Sequence, residues 1–369
     1  MPGPADGAHM AFDLDTALET ALALGASDLH VKVPSKPRVR IAGQLRELEG
    51  FEPLTPEDTE AVRDRVLVSG AKRKLFEESG SVDLSYFTTH GRFRVAAFTQ
   101  RGSNSFVFRA IPAAPATDTL GLPPTVLSWA DELRGLVVIT GPTGAGKSTT
   151  AAALIDRVNQ TRPLHILTIE DPIEYLHPDA KSIVTQREIG LDAPTYHVAL
   201  RAAMRQDPDV ILIGEVRDEE TAMTALRAAE TGHLVLCTMH TLNASETVQR
   251  FIDLFGERQA LLARQMLAAT LVGIASQRLV PAPGGGQTLN SEVLVNSSRI
   301  RDLIANGASQ SEVDKGVKEG DYYGMRTFDQ CLLAHVRAGT VTRTDAIAYS
   351  TNQHDFQLML EAEPVSVSA

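Results

Sequence analysis

The sequence predicts an α/β fold in its larger part, preceded by a smaller α+β region and followed by a short helical appendage. Three observations carry that prediction. From residue 125 onward, apolar runs at 136–139, 164–169, 210–213 and 234–238 alternate with segments of helical period, which marks a mainly parallel sheet covered on both faces. Between the first run and a helical pattern at 149–158 lies Gly141-Pro-Thr-Gly-Ala-Gly-Lys-Ser148, a glycine loop in strand, loop, helix order. Ahead of residue 112 the strand-like pieces are short and separated by Pro and Gly, the pattern of a small antiparallel sheet with helices.

The elements follow in order. A helix is expected over 13–24, with Leu14, Leu18, Ala21 and Leu22 on one face and Gly25 as its stop. Strands are expected at 29–33, 38–41 and 45–48, helices at 56–68 (capped by Thr55) and 71–78, and strands at 81–88, 92–100 and 105–111. The Pro-, Ala- and Thr-rich stretch 112–124 reads as a linker. Beyond it helices fit 196–206, 219–231 and 260–277, the Gly284-Gly-Gly286 turn leads to a strand at 291–295, and the chain is mostly helical from Arg299. The organisation is therefore a disordered tail (1–12), an N-terminal α+β domain (13–111), the linker, a nucleotide-binding domain (125–298), a helical region (299–361) and a second disordered tail (362–369). Residues 7–10, Gly-Ala-His-Met, are a candidate cloning remnant.

Composition narrows the class. A 369-residue chain with 43% apolar and 22% charged residues is that of a globular protein of two domains. The most apolar long run, 261–280, carries Arg264 and Arg278 and does not read as a membrane span. The start has neither the basic nor the apolar segment of a signal peptide. Two cysteines, Cys237 and Cys331, fit a reducing compartment and exclude a four-cysteine zinc site. A net charge of −11 argues against a surface built to hold nucleic acid.

The glycine loop is a phosphate site. Gly141, Gly144 and Gly146 let backbone N–H groups approach phosphate oxygens, and the helix that follows adds its free N–H groups and positive dipole end. Pro142, Thr143, Ala145 and Thr149 complete the ATP-binding stretch. Lys147 can reach the β- and γ-phosphates, and the Ser148 hydroxyl can ligate Mg²⁺. A parallel sheet binds ligands at the carboxyl ends of its strands, and each later strand delivers polar groups there. Run 164–169 ends in Glu170-Asp-Pro-Ile-Glu174, a carboxylate cluster or a plain turn. Run 210–213 ends in Gly214-Glu215, the form of a Walker-B element, with Glu215 able to reach both the Mg²⁺ shell and a water beside the γ-phosphate. Run 234–238 lies between His233 and His240; seven residues apart and with no third ligand near, they make a weak metal pair. His240 fits better as a hydrogen-bond donor to phosphate or to an acid, or as a structural histidine. In the first domain, alternation sets Arg92 and Arg94 on one strand face, and Arg101 and Arg109 lie further along the same region. They form either a solvated face or arginines offered to a phosphate on a neighbouring subunit.

These motifs together resemble the secretion-ATPase superfamily, and most nearly the type IV pilus retraction ATPases of twitching motility (PilT-like). The resemblance runs from Asp13 to Leu360. It rests on Ala26-Ser-Asp-Leu-His30, Gly91-Arg-Phe-Arg-Val95, the glycine loop, Thr168-Ile-Glu-Asp-Pro-Ile-Glu174, Arg205-Gln-Asp-Pro-Asp209, Gly214-Glu215, and the box from Thr231-Gly-His-Leu to Thr238-Met-His-Thr-Leu-Asn-Ala244. It implies a homohexameric ring of RecA-like domains, each with a PAS-like N-terminal domain, using ATP and Mg²⁺. It also implies that Glu215 polarises the attacking water with Glu170 in the same network, that His240 senses the γ-phosphate, and that the N-terminal arginines act across the subunit interface. The implied partner is the inner-membrane platform protein of the pilus machine, and the implied place is the cytoplasmic face of that membrane.

The chain departs from the retraction pattern at its C-terminal Ala-Ile-Arg-Asn-Leu-Ile-Arg-Glu segment. Here Arg299-Ile-Arg-Asp-Leu-Ile-Ala-Asn306 keeps the apolar spacing and Arg301, and Gly324-Met-Arg-Thr-Phe-Asp-Gln330 looks like the accessory (PilU-like) paralogue. Pilus-assembly and type II secretion motors usually carry the four-cysteine module that this chain lacks. A nucleic-acid motor and a nucleotide-gated scaffold are the other readings of the same loop.

Overall fold

The computed structural model describes residues 11–362. The expected tails and the stretch at 7–10 fall outside them, apart from residues 11, 12 and 362. Contacts divide the chain into two units, Met1–Pro112 and Ala113–Ala369.

In the first unit α1 (Leu14–Ala23) precedes β1 (Asp28–Lys32), β2 (Arg38–Ile41) and β3 (Gln44–Glu47). Then come α2 (Pro56–Val66), α3 (Gly70–Ser79), β4 (Ser81–Thr88), β5 (Gly91–Gln100) and β6 (Ser103–Ala110). Two of the helices begin where a short polar side chain serves a free backbone donor: Asp13 accepts from Asp15 N–H at α1, and Thr55 and Asp58 form a reciprocal capping box at α2. The six strands make one antiparallel sheet, β3-β2-β1-β6-β5-β4. Alternation on β5 and β6 turns Phe93, Val95, Phe106 and Phe108 into a core shared with Leu14 and Leu18 of α1.

The second unit opens with α4 (Pro124–Ser128), β7 (Gly135–Thr140), α5 (Lys147–Thr161), β8 (His165–Glu170) and β9 (Ile183–Glu188). It continues through α6 (Tyr196–Ala203), β10 (Val210–Ile213), α7 (Glu219–Glu230), β11 (Leu234–Met239), α8 (Ala244–Asp253) and α9 (Glu257–Thr270). A hairpin of β12 (Leu271–Pro281) and β13 (Gln287–Val295) leads to α10 (Ser298–Ala305), α11 (Gln310–Lys318), α12 (Phe328–Arg337), α13 (Arg343–Tyr349) and α14 (Gln353–Glu361). The seven-stranded sheet runs β13-β12-β7-β11-β10-β8-β9 and is parallel except for β13. Every residue of β7, β10 and β11 is buried, because the sheet is covered on both faces.

The sequence reading needs one correction in this unit. The helix expected over 260–277 stops at Thr270, and Leu271–Pro281 is a strand between β7 and β13. Most of that segment is buried on both faces, so it lacks the alternation of a half-exposed strand and its apolar positions suit a helical period equally well. Besides the short helix α4 directly after the linker, two further elements escaped the pattern. β9 is a polar edge strand with little apolar signal, and α8 starts inside the motif that holds His240.

Candidate active site

The carboxyl ends of β7, β8, β10 and β11 lie side by side, in registers that align Val138, Cys237, Ile213 and Ile169 across the sheet. The loop from Gly141 to Gly146 leaves β7 there and enters α5 at Lys147. Gly141 has φ +147°, and a Cβ on it would sit 2.4 Å from the Gln277 carbonyl oxygen of β12 and 3.0 Å from Ala145 Cβ. Only glycine lets the loop turn this tightly against the neighbouring strand. The loop, Glu170, Glu174, Glu215, Arg217 and His240 line one cleft of about 520 Å³, a size suited to a nucleotide.

Lys147 is buried, and its ammonium donates to the carbonyls of Gly141 (2.8 Å) and Pro142 (3.1 Å). Its third contact is with His240 Nδ1 at 3.4 Å. An ammonium has no lone pair, so Nδ1 accepts and a neutral ring carries its proton on Nε2. That nitrogen lies 3.3 Å from Glu215 Oε1. The other carboxylate oxygen accepts from Arg217 Nη2 at 2.5 Å. A continuous polar chain, Lys147–His240–Glu215–Arg217, thus joins the ends of β7, β11 and β10. Burial pushes the Lys147 pKa down, opposed by Glu215 and Glu174. Burial pushes Glu215 up, but Arg217 and His240 outweigh it and hold the carboxyl below its usual range.

Glu170 ends β8 with a different environment. Thr168 Oγ1 (2.7 Å) and Gln186 Nε2 (3.1 Å) both donate to its Oε1, yet burial dominates and raises its pKa. Gln186 also donates to the Tyr175 carbonyl, and the Tyr175 hydroxyl pairs with Thr149 Oγ1 at 2.9 Å, tying the loop after β8 to the first turn of α5. Two carboxylates therefore face one cleft, one held ionised by Arg217 and His240 and the other pushed toward its neutral form by burial.

Ser148 is half-buried in the first turn of α5. Its hydroxyl and the carboxylate of Glu215 form an oxygen donor set of the hard kind that suits Mg²⁺. Among the described residues, no group of three or more His, Cys, Asp or Glu side chains is arranged to hold a metal unaided. His233 and His240 flank opposite ends of β11, and His233 Nδ1 contacts the Ala228 carbonyl at 2.9 Å. A metal shared by these two histidines is thereby ruled out, because a six-residue strand separates them.

The four arginines belong to the first unit. Arg94, Arg101 and Arg109 are exposed. Arg109 Nε donates to Asp28 at 2.9 Å, and Arg101 sits in the β5–β6 turn with φ +51°. Arg92 differs from the free strand-face residue that alternation predicts: it is 6% exposed, with its guanidinium 4.4 Å from the Phe87 ring centroid. Its cross-strand partner in the register is Phe87, so cation and ring stack.

Sequence reasoning assigned no role to Arg217, Gln186 or Tyr175. The only signal for Arg217 was its place two residues beyond Glu215; Gln186 and Tyr175 reach the cleft through the unrecognised strand β9 and the loop before it.

Residues 5–355 match the family model described as "Type II/IV secretion system protein". The chain is 40% identical over 336 residues to a type IV pilus retraction ATPase, PilT, of Pseudomonas aeruginosa, covering 90% of this chain and 97% of that one. It is 38% identical to the type IV pilus ATPase PilU of the same organism, covering 95% and 91%. A crystal structure of the pilus retraction motor PilT with bound ADP superposes with a TM-score of 0.83 at 44% identity, covering 94% of this chain and all of that one. The chain belongs to the type II/IV secretion system protein family and is one of its ATPases.

Proposed function

We propose that the protein is a ring-forming motor of six copies that hydrolyses ATP to drive type IV pilus retraction. The observation that carries the proposal is the polar chain Lys147–His240–Glu215–Arg217 along the strand ends beside the glycine loop. In this assignment the loop amides and Lys147 hold the phosphates, and His240, in contact with Lys147 and Glu215, senses the γ-phosphate. Glu215 stays ionised under Arg217 and orients the attacking water. Glu170 belongs to the same network. Mg²⁺, held by Ser148 and by Glu215 directly or through water, would neutralise phosphate charge. The exposed arginines Arg94, Arg101 and Arg109 are offered to the nucleotide of an adjacent subunit, and the platform protein of the pilus machine receives the force at the cytoplasmic face of the membrane. Among the described residues no helix is long and apolar enough to cross a membrane.

Glu215→Gln is the direct test. It should bind ATP as the wild type does and lose turnover by about 10²–10⁴-fold, the usual worth of a positioned base. Turnover at the wild-type rate would remove Glu215 from that role. Deletion of the gene should leave cells with excess pili and no twitching; loss of pili would instead identify an assembly motor. A second reading, an accessory retraction ATPase, is favoured by the Gly324–Gln330 stretch and by the near-equal identity to PilU. Weak turnover by the purified protein that rises on mixing with a second retraction ATPase would select it.

A further inference from the structure

Near the C-terminal end of the second unit one buried carboxylate, with half-buried and exposed charges around it, has no part in the nucleotide chemistry. It is Glu292 of β13, 8% exposed. Its Oε1 accepts from Ala244 N–H at 2.8 Å. Ala244 is the first residue of α8, and its N–H is one of the donors that a helix leaves free at its start. Only three residues, Thr241, Leu242 and Asn243, separate it from His240.

Those three residues are held from the other side as well. Thr140, the last residue of β7 before the glycine loop, donates to the Thr241 carbonyl (2.6 Å) and accepts from Thr241 N–H (3.1 Å). Within the turn, Thr247 Oγ1 donates to the Asn243 carbonyl at 2.6 Å, and Leu242 N–H donates to Glu246 Oε2 at 3.0 Å. Thr140 therefore anchors the start of the turn, and Glu292 anchors its end.

We infer that Glu292 is a positioning residue for turnover: by holding the Ala244 N–H it fixes the 241–243 turn and so the placement of His240 against Lys147 and Glu215. The inference rests on the active-site assignment above and adds a residue to it from the far end of the sheet. Around Glu292 stand Arg278 on β12, Asp314 on α11 and Asp329 on α12, and the Arg278 guanidinium lies 4.0 Å from the Phe328 ring centroid on α12. The anchor of the His240 turn is thus built into the packing of the C-terminal helices.

The test uses the purified full-length protein and two variants. Glu292→Asp keeps a carboxyl group but withdraws the acceptor by one methylene; Glu292→Gln replaces the carboxyl group but keeps an oxygen in place. With one hydrogen bond at stake, Glu292→Asp should lower kcat about tenfold with KM within about twofold, whereas Glu292→Gln stays within about twofold of wild type in both. Backbone hydrogen exchange at 242–244 should quicken in the aspartate variant and not in the glutamine one. Wild-type kcat and exchange in Glu292→Asp would overturn the inference. Equal loss in both variants would do so too, because the carboxyl group itself and not the hydrogen bond would then matter. Should the wild type itself fail to hydrolyse ATP, the motor assignment falls, and the exchange measurement still decides the anchor.

Discussion

Gly141→Ala offers the sharpest test of the loop geometry. The added methyl would lie 2.4 Å from the Gln277 carbonyl oxygen and 3.0 Å from Ala145 Cβ, at φ +147°, where side chains are strained. The first contact is to the backbone of an interior strand, so relief requires moving β12 or the loop. Backbone strain of about 1–3 kcal/mol plus a displaced contact of about 1–3 kcal/mol gives a destabilisation of about 4 kcal/mol. At about 2–4 °C per kcal/mol for a unit of this size, the midpoint should fall by about 12 °C. Gly144 is the control: it has φ +81°, but its added methyl meets nothing within 4 Å. Gly144→Ala should therefore lose only about 1–2 kcal/mol, the left-handed conformation alone. Thermal unfolding of both variants, followed by near-ultraviolet circular dichroism, measures the difference. Equal midpoints in the two would refute the claim that Gly141 is dictated by its approach to Gln277.

Other expectations follow from the same geometry. Lys147→Ala should lose ATP binding and turnover together, since it removes both the phosphate cation and the contact to His240; titration with a fluorescent ATP analogue checks this. Arg217→Gln removes a group that holds the Glu215 pKa down, so the rising limb of the rate-versus-pH profile should move to higher pH. Glu292 supplies a pH dependence of stability. Burial raises its pKa from 4.5 to about 7, so the folded state holds the proton more tightly than the unfolded chain does. Its contribution is full below pH 4.5 and is lost as pH rises toward 7, about 3 kcal/mol in all at about 1.4 kcal/mol per unit. Denaturant unfolding of Glu292→Gln should lack that decline between pH 4.5 and about 7.

Much of this was legible in the residues, and the reasons are physical. The strands β7, β10 and β11 are fully buried, so they appear as unbroken apolar runs whose ends point at the cleft, and Lys147, Glu215 and His240 could be placed at one edge without coordinates. What stayed hidden depends on contacts distant in sequence. β12 looks helical because most of it is buried on both faces, yet its Gln277 carbonyl shapes the glycine loop. Arg92 reads as a free charge until Phe87 is seen across the ladder. Glu292 is an ordinary polar letter in a β hairpin until the start of α8 is brought against it. Pattern reports the period of an element, whereas these roles come from its partners.

The rims of the large sheet carry a consequence of their own. On β13, Val293 exchanges backbone hydrogen bonds with Arg326, Ser291 N–H meets Cys331 Sγ, and the Leu289 carbonyl accepts from His335. On β9 at the opposite rim, Asp179 takes the Val184 N–H and Asp192 takes the Glu188 N–H. Several of the backbone groups that would otherwise recruit a foreign strand are thereby occupied. At these two rims, copies of this chain are therefore steered toward side-chain contacts and away from extending the large sheet. Contacts of that kind can slide and re-form through a cycle of strokes, where a continuous ladder of backbone bonds would weld the assembly shut.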